Sequence, residues 1–247
     1  MSERATMADV AREAGVSSMT VSRVINHKGE VSEATRERVL AVIEELGYRP
    51  SGIARGLATQ RTGTLGLVVP DVANPFFADV VRGVEHGAYA EGYNVFLCNT
   101  EEDPERELAV LKSLEEKRVD GLVLCSSRLD EAELRAVVAR HRRVVLVNRL
   151  LEGDSVGSVL INDEMGGRLA TRLLIEAGHR TIGYLSGPAV SHSGRQRAMG
   201  YRTALEEAGV DSDDSWVRHC PPMVAGGQEV AQDMLITRPE ISALFCY

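Results

Sequence analysis

Aromatic side chains are scarce in this chain: 4% of its 247 residues are Phe, Trp or Tyr, so any core must be built from aliphatic groups. Long apolar runs are missing as well. No stretch approaches the ~18 consecutive apolar residues of a membrane span, and the opening segment from Met1 to Thr6 lacks the apolar centre of a signal peptide. A cytoplasmic protein is expected. Four cysteines (Cys98, Cys125, Cys220, Cys246) fall within or beside apolar runs without CxxC or Cys/His ligand spacing, which speaks against zinc and predicts reduced core thiols. The six histidines are scattered. There is no GxGxxG after the first strand, no GxxxxGK[ST], no GxSxG and no HExxH, so an enzyme is disfavoured and neither a cofactor nor a metal is expected.

Positive charge is also short, with 28 Lys+Arg against 36 Asp+Glu and a net charge of −8, which taken whole argues against a nucleic-acid partner. The distribution is uneven. Residues 1–62 carry 9 Lys+Arg against 8 Asp+Glu, leaving 19 against 28 for the remainder. Between Leu46 and Pro70 nothing is acidic, while Arg49, Arg55 and Arg61 all fall there. A local basic strip is enough for phosphate contact.

The stretch from Thr6 to Asn26, TMADVAREAGVSSMTVSRVIN, reads as two short helices meeting at a sharp turn. Thr6 and Asp9 have the spacing of a capping box, Val10, Ala11 and Ala14 line one face, and Gly15 ends the helix in a left-handed conformation. Ser17 caps a second helix with the apolar stripe Val21, Val24 and Ile25. Its other side presents Ser18, Met19, Thr20, Ser22, Arg23 and Asn26 to phosphates or base edges. After a loop, Ser32 caps a third helix with Val39, Ile43 and Leu46 on one face and Gly47 at its end. The segment from Ser51 to Gly63 is too apolar for an idle linker, and Gly52 and Gly56 each cost roughly 1 kcal/mol against alanine in a helix, so a helix there needs outside contacts to form.

ADVAREAGVSSMTVSRVIN followed by VSEATRERVLAVIEELGYRP resembles the DNA-binding headpiece of the lactose/galactose-repressor (LacI/GalR) family of transcriptional regulators. The resemblance runs over residues 6–60, including the linker. It implies a headpiece at 1–50, a hinge helix at 51–63 that lies in the minor groove, and Leu57 as the leucine that wedges between central base pairs. Ser18 and Met19 match base-reading places, and Arg23 matches a guanine-reading arginine, for which a bidentate pair is the natural contact. Thr6, Ser17, Thr20, Ser22, Asn26, Thr35 and Tyr48 match phosphate-positioning or capping places. Glu30 departs from the lactose repressor, which has a histidine near the DNA there.

From Thr64 the pattern changes to apolar runs alternating with amphipathic helices. Strands are expected at Thr64 to Val69, Tyr93 to Cys98, Asp120 to Ser126 and Val144 to Val147, with helices at about 76–91, 104–117 and 130–141. This βαβα order implies a parallel sheet covered on both faces. A second series is expected to open near Val159 and continue with a helix from about Glu164 to Ala177, a strand in Thr181 to Gly187, a helix from about Arg195 to Ala208, a weak strand at WVRHC, a helix at about 225–237 and a strand at SALFCY. Two doubly wound parallel-sheet subdomains (64–158 and 159–247) would leave a ligand cleft at the carboxyl ends of their strands.

The family's core has this periplasmic-binding-protein-like architecture. The resemblance places Phe76 and Phe77 against an effector ring, Ser127 as a polar contact at the end of the third strand, and Ser193 and Arg197 as contacts from the second subdomain. Asn162 and Asp163 stand at a strand end in the reverse of the family's usual Asp-Asn order and are carried only as cleft residues. The family continues beyond the position of Tyr247 with further βα units and an aspartate that pairs with effector hydroxyls. Either the chain is a C-terminal truncation or its second subdomain is curtailed.

The resulting expectation is a repressor that binds a palindromic double-stranded operator as a homodimer under control of a small sugar-like effector, with no membrane partner. The alternatives are a truncated DNA-binding protein without effector control and a solute-binding receptor.

Overall fold

The computed structural model describes residues 5–26, 28–49, 61–153 and 156–247. The chain divides into two compact units, 1–62 and 63–247. The hinge segment with Leu57 lies outside the described residues.

In the first unit, α1 (Met7–Glu13), α2 (Ser18–Ile25) and α3 (Glu33–Glu45) enclose a core of small residues. Val10, Ala11, Ala14, Val21, Val24, Val39 and Val42 are buried together, with Ile25, Ile43 and Tyr48 packed at the edge. On α3 the buried partner of Val39 is Val42, whereas Leu46 is exposed, because the helix ends at Glu45 and Leu46 caps it. Gly15 and Gly47 both sit at positive φ (63° and 58°), the conformation that lets α1 and α3 stop where they do.

The second unit is α/β with two parallel sheets. In the first, β1 (Thr64–Val69), β2 (Asn94–Asn99), β3 (Gly121–Cys125), β4 (Val144–Val147) and β5 (Gly157–Val159) lie in the order β2-β1-β3-β4-β5. Successive strand residues serve opposite faces. Val68, Leu122, Leu124, Val144 and Leu146 pack on α5 (Pro104–Glu116) and α6 (Glu131–Arg140), while Leu67, Val69 and Cys125 pack on α4 (Pro75–Ala90). The strand at Val159 therefore completes the first sheet, in register Val147↔Val159, and does not open the second series. Apolar periodicity gives a strand's existence but not which sheet edge it extends, and three residues are too few to show either.

The second sheet is centred on β6 (Ile182–Ser186), flanked by β7 (Val217–His219) and β8 (Ala243–Cys246). One face carries α7 (Asp163–Glu176) and α8 (His192–Glu207), with Ile182, Tyr184, Tyr201 and Leu205 buried between them. The other carries α9 (Val224–Thr237), whose Met234 packs with Leu185 of β6 and with Ile241 from the connection to β8. Helix α8 starts earlier than its apolar spacing suggested because Ser191 caps it, accepting from Gly194 N. Helices α7 and α8 cross backbone to backbone, where a Cβ on Gly200 would stand 2.0 Å from Glu164 O and one on Gly167 2.3 Å from Arg197 O. Of the cysteines only Cys125 is buried and Cys246 is exposed, so the expectation of four core thiols fails at the strand ends, where Cys246 faces a cleft.

Candidate functional site

The polar surface of the first unit is organised by short-range caps. Thr6 and Asp9 form the reciprocal box, with Asp9 N to Thr6 Oγ1 at 3.3 Å and Thr6 N to Asp9 Oδ2 at 3.0 Å, and the Thr6 contacts hold the Asp9 carboxyl below the ordinary carboxylate range. Ser17 Oγ accepts from Thr20 N at 3.1 Å and lies 3.0 Å from Thr20 Oγ1. Asn26 Nδ2 donates to Ser22 O at 2.8 Å, and Ser32 Oγ lies 2.8 Å from Thr35 Oγ1. Tyr48 is half-buried against the small core. What is left facing outward on α2 is Ser18, Met19 and Arg23, with Met19 65% exposed. The Arg23 side chain passes over the loop glycine Gly29, where a Cβ would meet its Cδ at 3.5 Å. Its guanidinium makes no hydrogen bond or ion pair with a described residue, so its donors remain available.

The second unit contains a cavity of about 490 Å³ where the carboxyl ends of the strands from both sheets converge. Phe76 and Phe77 line it from the start of α4, at 5.1 Å between ring centroids and edge to face. Phe77 is buried in the sheet's own core, whereas Phe76 is 41% exposed. Asn74 caps that helix by accepting from Phe76 N at 3.0 Å. Ser193 lines the cavity from α8, buried, with its Oγ 3.1 Å from Ser191 Oγ and 3.3 Å from the Tyr247 hydroxyl. Arg197 lines it too, with Nε donating to Asp163 at 2.8 Å and its guanidinium carbon 5.0 Å from the Tyr247 ring centroid. Asp163 is buried behind this contact. Asn162 serves as the cap of α7, accepting from Met165 N.

Ser127 is placed differently from the expectation. It is buried and its hydroxyl is spent on Glu107, which also accepts from Arg128 N at 2.9 Å. Burial raises the Glu107 pKa, and the Ser127 and Arg128 contacts oppose that rise. The adjacent residues Ser126 and Arg128 are the ones that line the cavity. Alternation along the strand cannot be extended past Cys125, because Ser126 turns to φ 47° and shifts the parity of the residues after it.

Sequence reasoning missed several lining residues: Asn74, Glu102, Ser126, Arg128, Asn148 and Tyr247. Ser126 is the last residue of one expected strand and Asn148 the first past another, both at positive φ (47° and 56°), so the rule that ligands bind at strand carboxyl ends was enough to nominate them. Arg128 and Glu102 are joined across 26 positions, and no local signal pairs them. Burial pulls the Arg128 pKa down, and its contacts with Glu102 and Tyr247 together more than reverse this.

Similarity to known proteins bears on these surfaces. A family model described as bacterial regulatory proteins of the lacI family matches residues 6–51, and one described as periplasmic binding proteins and sugar-binding domain of the LacI family matches residues 62–247. The chain belongs to the LacI family. Its relatives in that family include the transcriptional repressor PurR of Photobacterium profundum, 38% identical over 98% of this chain and 73% of the relative. The transcriptional regulator GalR of Escherichia coli (strain K12) is 38% identical over 98% of this chain and 71% of the relative. Among LacI-family structures, the lac repressor dimer bound to operator and the anti-inducer ONPF matches with TM-score 0.79 and 27% identity, over 99% of this chain and 74% of that one. The family consists of transcriptional regulators. No helix among the described residues is long and apolar enough to cross a membrane, and no group of three or more His, Cys, Asp or Glu among them could hold a metal.

Proposed function

We propose that the chain is a repressor that binds a palindromic operator as a homodimer and is controlled by a small sugar-like effector in the cleft. The observation that carries the DNA half is the outward face of α2: Ser18, Met19 and Arg23 project from a helix anchored by Val21 and Val24, and the Arg23 guanidinium donates to none of the described residues. Arg23 reads a guanine by a bidentate pair, and the capped polar groups Thr6, Ser17, Thr20, Ser22, Asn26, Thr35 and Tyr48 hold the backbone. Leu57 is proposed as the minor-groove wedge at the operator centre.

In the cleft, Phe76 offers a sugar-sized apolar face, and Arg197 and Ser193 offer polar contacts from the other side. An effector that favours one closure of the cleft changes the cost of ordering two hinge segments on DNA, which is linkage between the sites.

In vitro selection from random duplexes followed by mobility shift tests the first half. A twofold-symmetric consensus bound by two chains is expected, and enrichment of no sequence would overturn the reading. Arg197→Ala tests the second half. Once a ligand is found, this variant should bind operator within a few fold of the parent and lose the ligand's effect on that binding, whereas a retained response would remove Arg197 from the effector site.

A further inference from the structure

The acidic and basic side chains that line the cleft are Glu102, Arg128 and Arg197. The wall thus carries two guanidinium groups against one carboxylate, and the second acid, Asp163, sits behind Arg197 without lining the cavity. The two arginines are not equally satisfied. Arg197 is partly exposed and paired. Arg128 is 5% exposed, and Glu102 takes its Nε and Nη2, the latter at 3.1 Å. Its Nη1 is buried with no hydrogen-bond acceptor among the described residues. A charged donor in that state forfeits the hydrogen bond water would give it, a penalty larger than for a neutral group.

Next to it, Arg149 is 7% exposed and spends its terminal nitrogens on the main-chain oxygens of Val190 (2.8 Å) and Leu129 (3.1 Å), its Nε likewise buried without an acceptor among the described residues, so it is a second guanidinium with no carboxylate hydrogen-bonded to it. Glu107 interacts electrostatically with both arginines, but its oxygens accept from Ser127 and Arg128 N and not from either guanidinium.

We infer that Arg128 is an anion-reading residue of the cleft, and that the effector carries a carboxylate or phosphate which accepts from Arg128 Nη1. This deepens the effector reading given above and rests on it. The effector is then an acidic sugar derivative. A neutral hydroxyl could also accept from Nη1, but an anionic oxygen forms the shorter, stronger charge-assisted bond with a guanidinium. Arg197, over the Tyr247 ring, is the second guanidinium of the same cavity, and the aromatic side chains of Phe76 and Tyr247 line it alongside.

The test titrates the full chain by calorimetry with matched probes, namely glucose, gluconate and glucose 6-phosphate, the corresponding three for galactose, ribose with ribose 5-phosphate, and inorganic phosphate. Protection of the exposed cleft thiol Cys246 from alkylation locates any binding. The expected result is that an acidic probe binds at least tenfold more tightly than its neutral partner and shields Cys246. The preference should disappear in the double variant Glu102→Gln/Arg128→Met, which removes the buried pair together and so leaves no orphaned carboxylate. Gluconate against glucose 6-phosphate separates the carboxylate from the phosphate source, and inorganic phosphate alone reports the anion without a sugar. If neutral sugars bind in the cleft as tightly as acidic ones, or the double variant keeps the acidic preference, the inference is overturned and the effector reading stands. If no probe binds or shields Cys246, both are overturned.

Discussion

The two candidate surfaces handle polar groups in opposite ways. On the headpiece the hydrogen bonds are local, three or four residues apart, and the groups that make them stay at the surface: Thr6 with Asp9, Ser17 with Thr20, Ser22 with Asn26. Around the cleft the polar partners lie 20 to 56 positions apart and are largely buried: Ser127 with Glu107, Arg128 with Glu102, Arg197 with Asp163, Ser191 with Tyr247. Local caps orient a helix and leave its outer face free for a large partner such as a duplex. Buried long-range pairs instead shape a cavity, and their unmet donors point to what a small ligand must bring.

The largest effect expected from a single change falls on the core unit. Gly200→Val would drive a side chain into the backbone of α7, where even a Cβ stands 2.0 Å from Glu164 O. Destabilisation of about 3 kcal/mol is expected, which for a unit of this size lowers the melting midpoint by roughly 6–12 °C. Trp216, the chain's one tryptophan, reports the core unit alone. An unchanged fluorescence midpoint would mean that α7 and α8 can part freely.

Next comes readout on the headpiece. Arg23→Ala should weaken operator binding by about 1–3 kcal/mol and relax preference at one symmetric base pair, with random DNA little affected. Equal losses on both kinds of DNA, measured by mobility shift, would make Arg23 a phosphate contact and erase its difference from the capped residues around it.

Ser17→Ala removes the cap of α2 and should cost about 1 kcal/mol of headpiece stability, followed by circular dichroism of the first unit's helices. A cost near zero would show that Thr20 or water takes over the cap.

The smallest effect is a pH dependence confined to the core. Glu107 has its folded-state pKa raised above the ordinary 4.5, chiefly by burial. The folded state therefore binds more protons than the unfolded one between those values, so this residue's contribution to stability falls as pH rises through that window. Glu107→Gln should remove that slope: the denaturation midpoint of the variant relative to the parent should improve as pH is raised from 4 toward neutrality, as read by Trp216. A difference that stays flat with pH would place Glu107 at its ordinary pKa despite its burial.

Much of the headpiece could be read directly. The box of Thr6 and Asp9, the stop at Gly15, the cap at Ser17 and the stripe of Val21 and Val24 all arise from spacings within one or two helical turns, which is the range over which a helix is stabilised or ended. In the core the existence of strands and helices was legible for the same reason, and the two phenylalanines, Ser193 and Arg197 do line one cavity. Three things were not. The strand at Val159 joined the first sheet, Ser127 turned inward while Ser126 and Arg128 faced the cleft, and Arg128 found Glu102.

By itself, then, the sequence determined the helical caps, the alternation that makes buried strands, and the outward face of α2, because each depends on neighbours within a few residues. Tertiary structure alone decided which sheet edge accepts a three-residue strand, which of two adjacent serines sees the cleft, and which arginines are left with a buried donor unmet by the described residues. Those outcomes depend on the parity set by left-handed turns at Ser126 and Asn148 and on charges brought together from distant parts of the chain, and neither leaves a local trace in the order of residues.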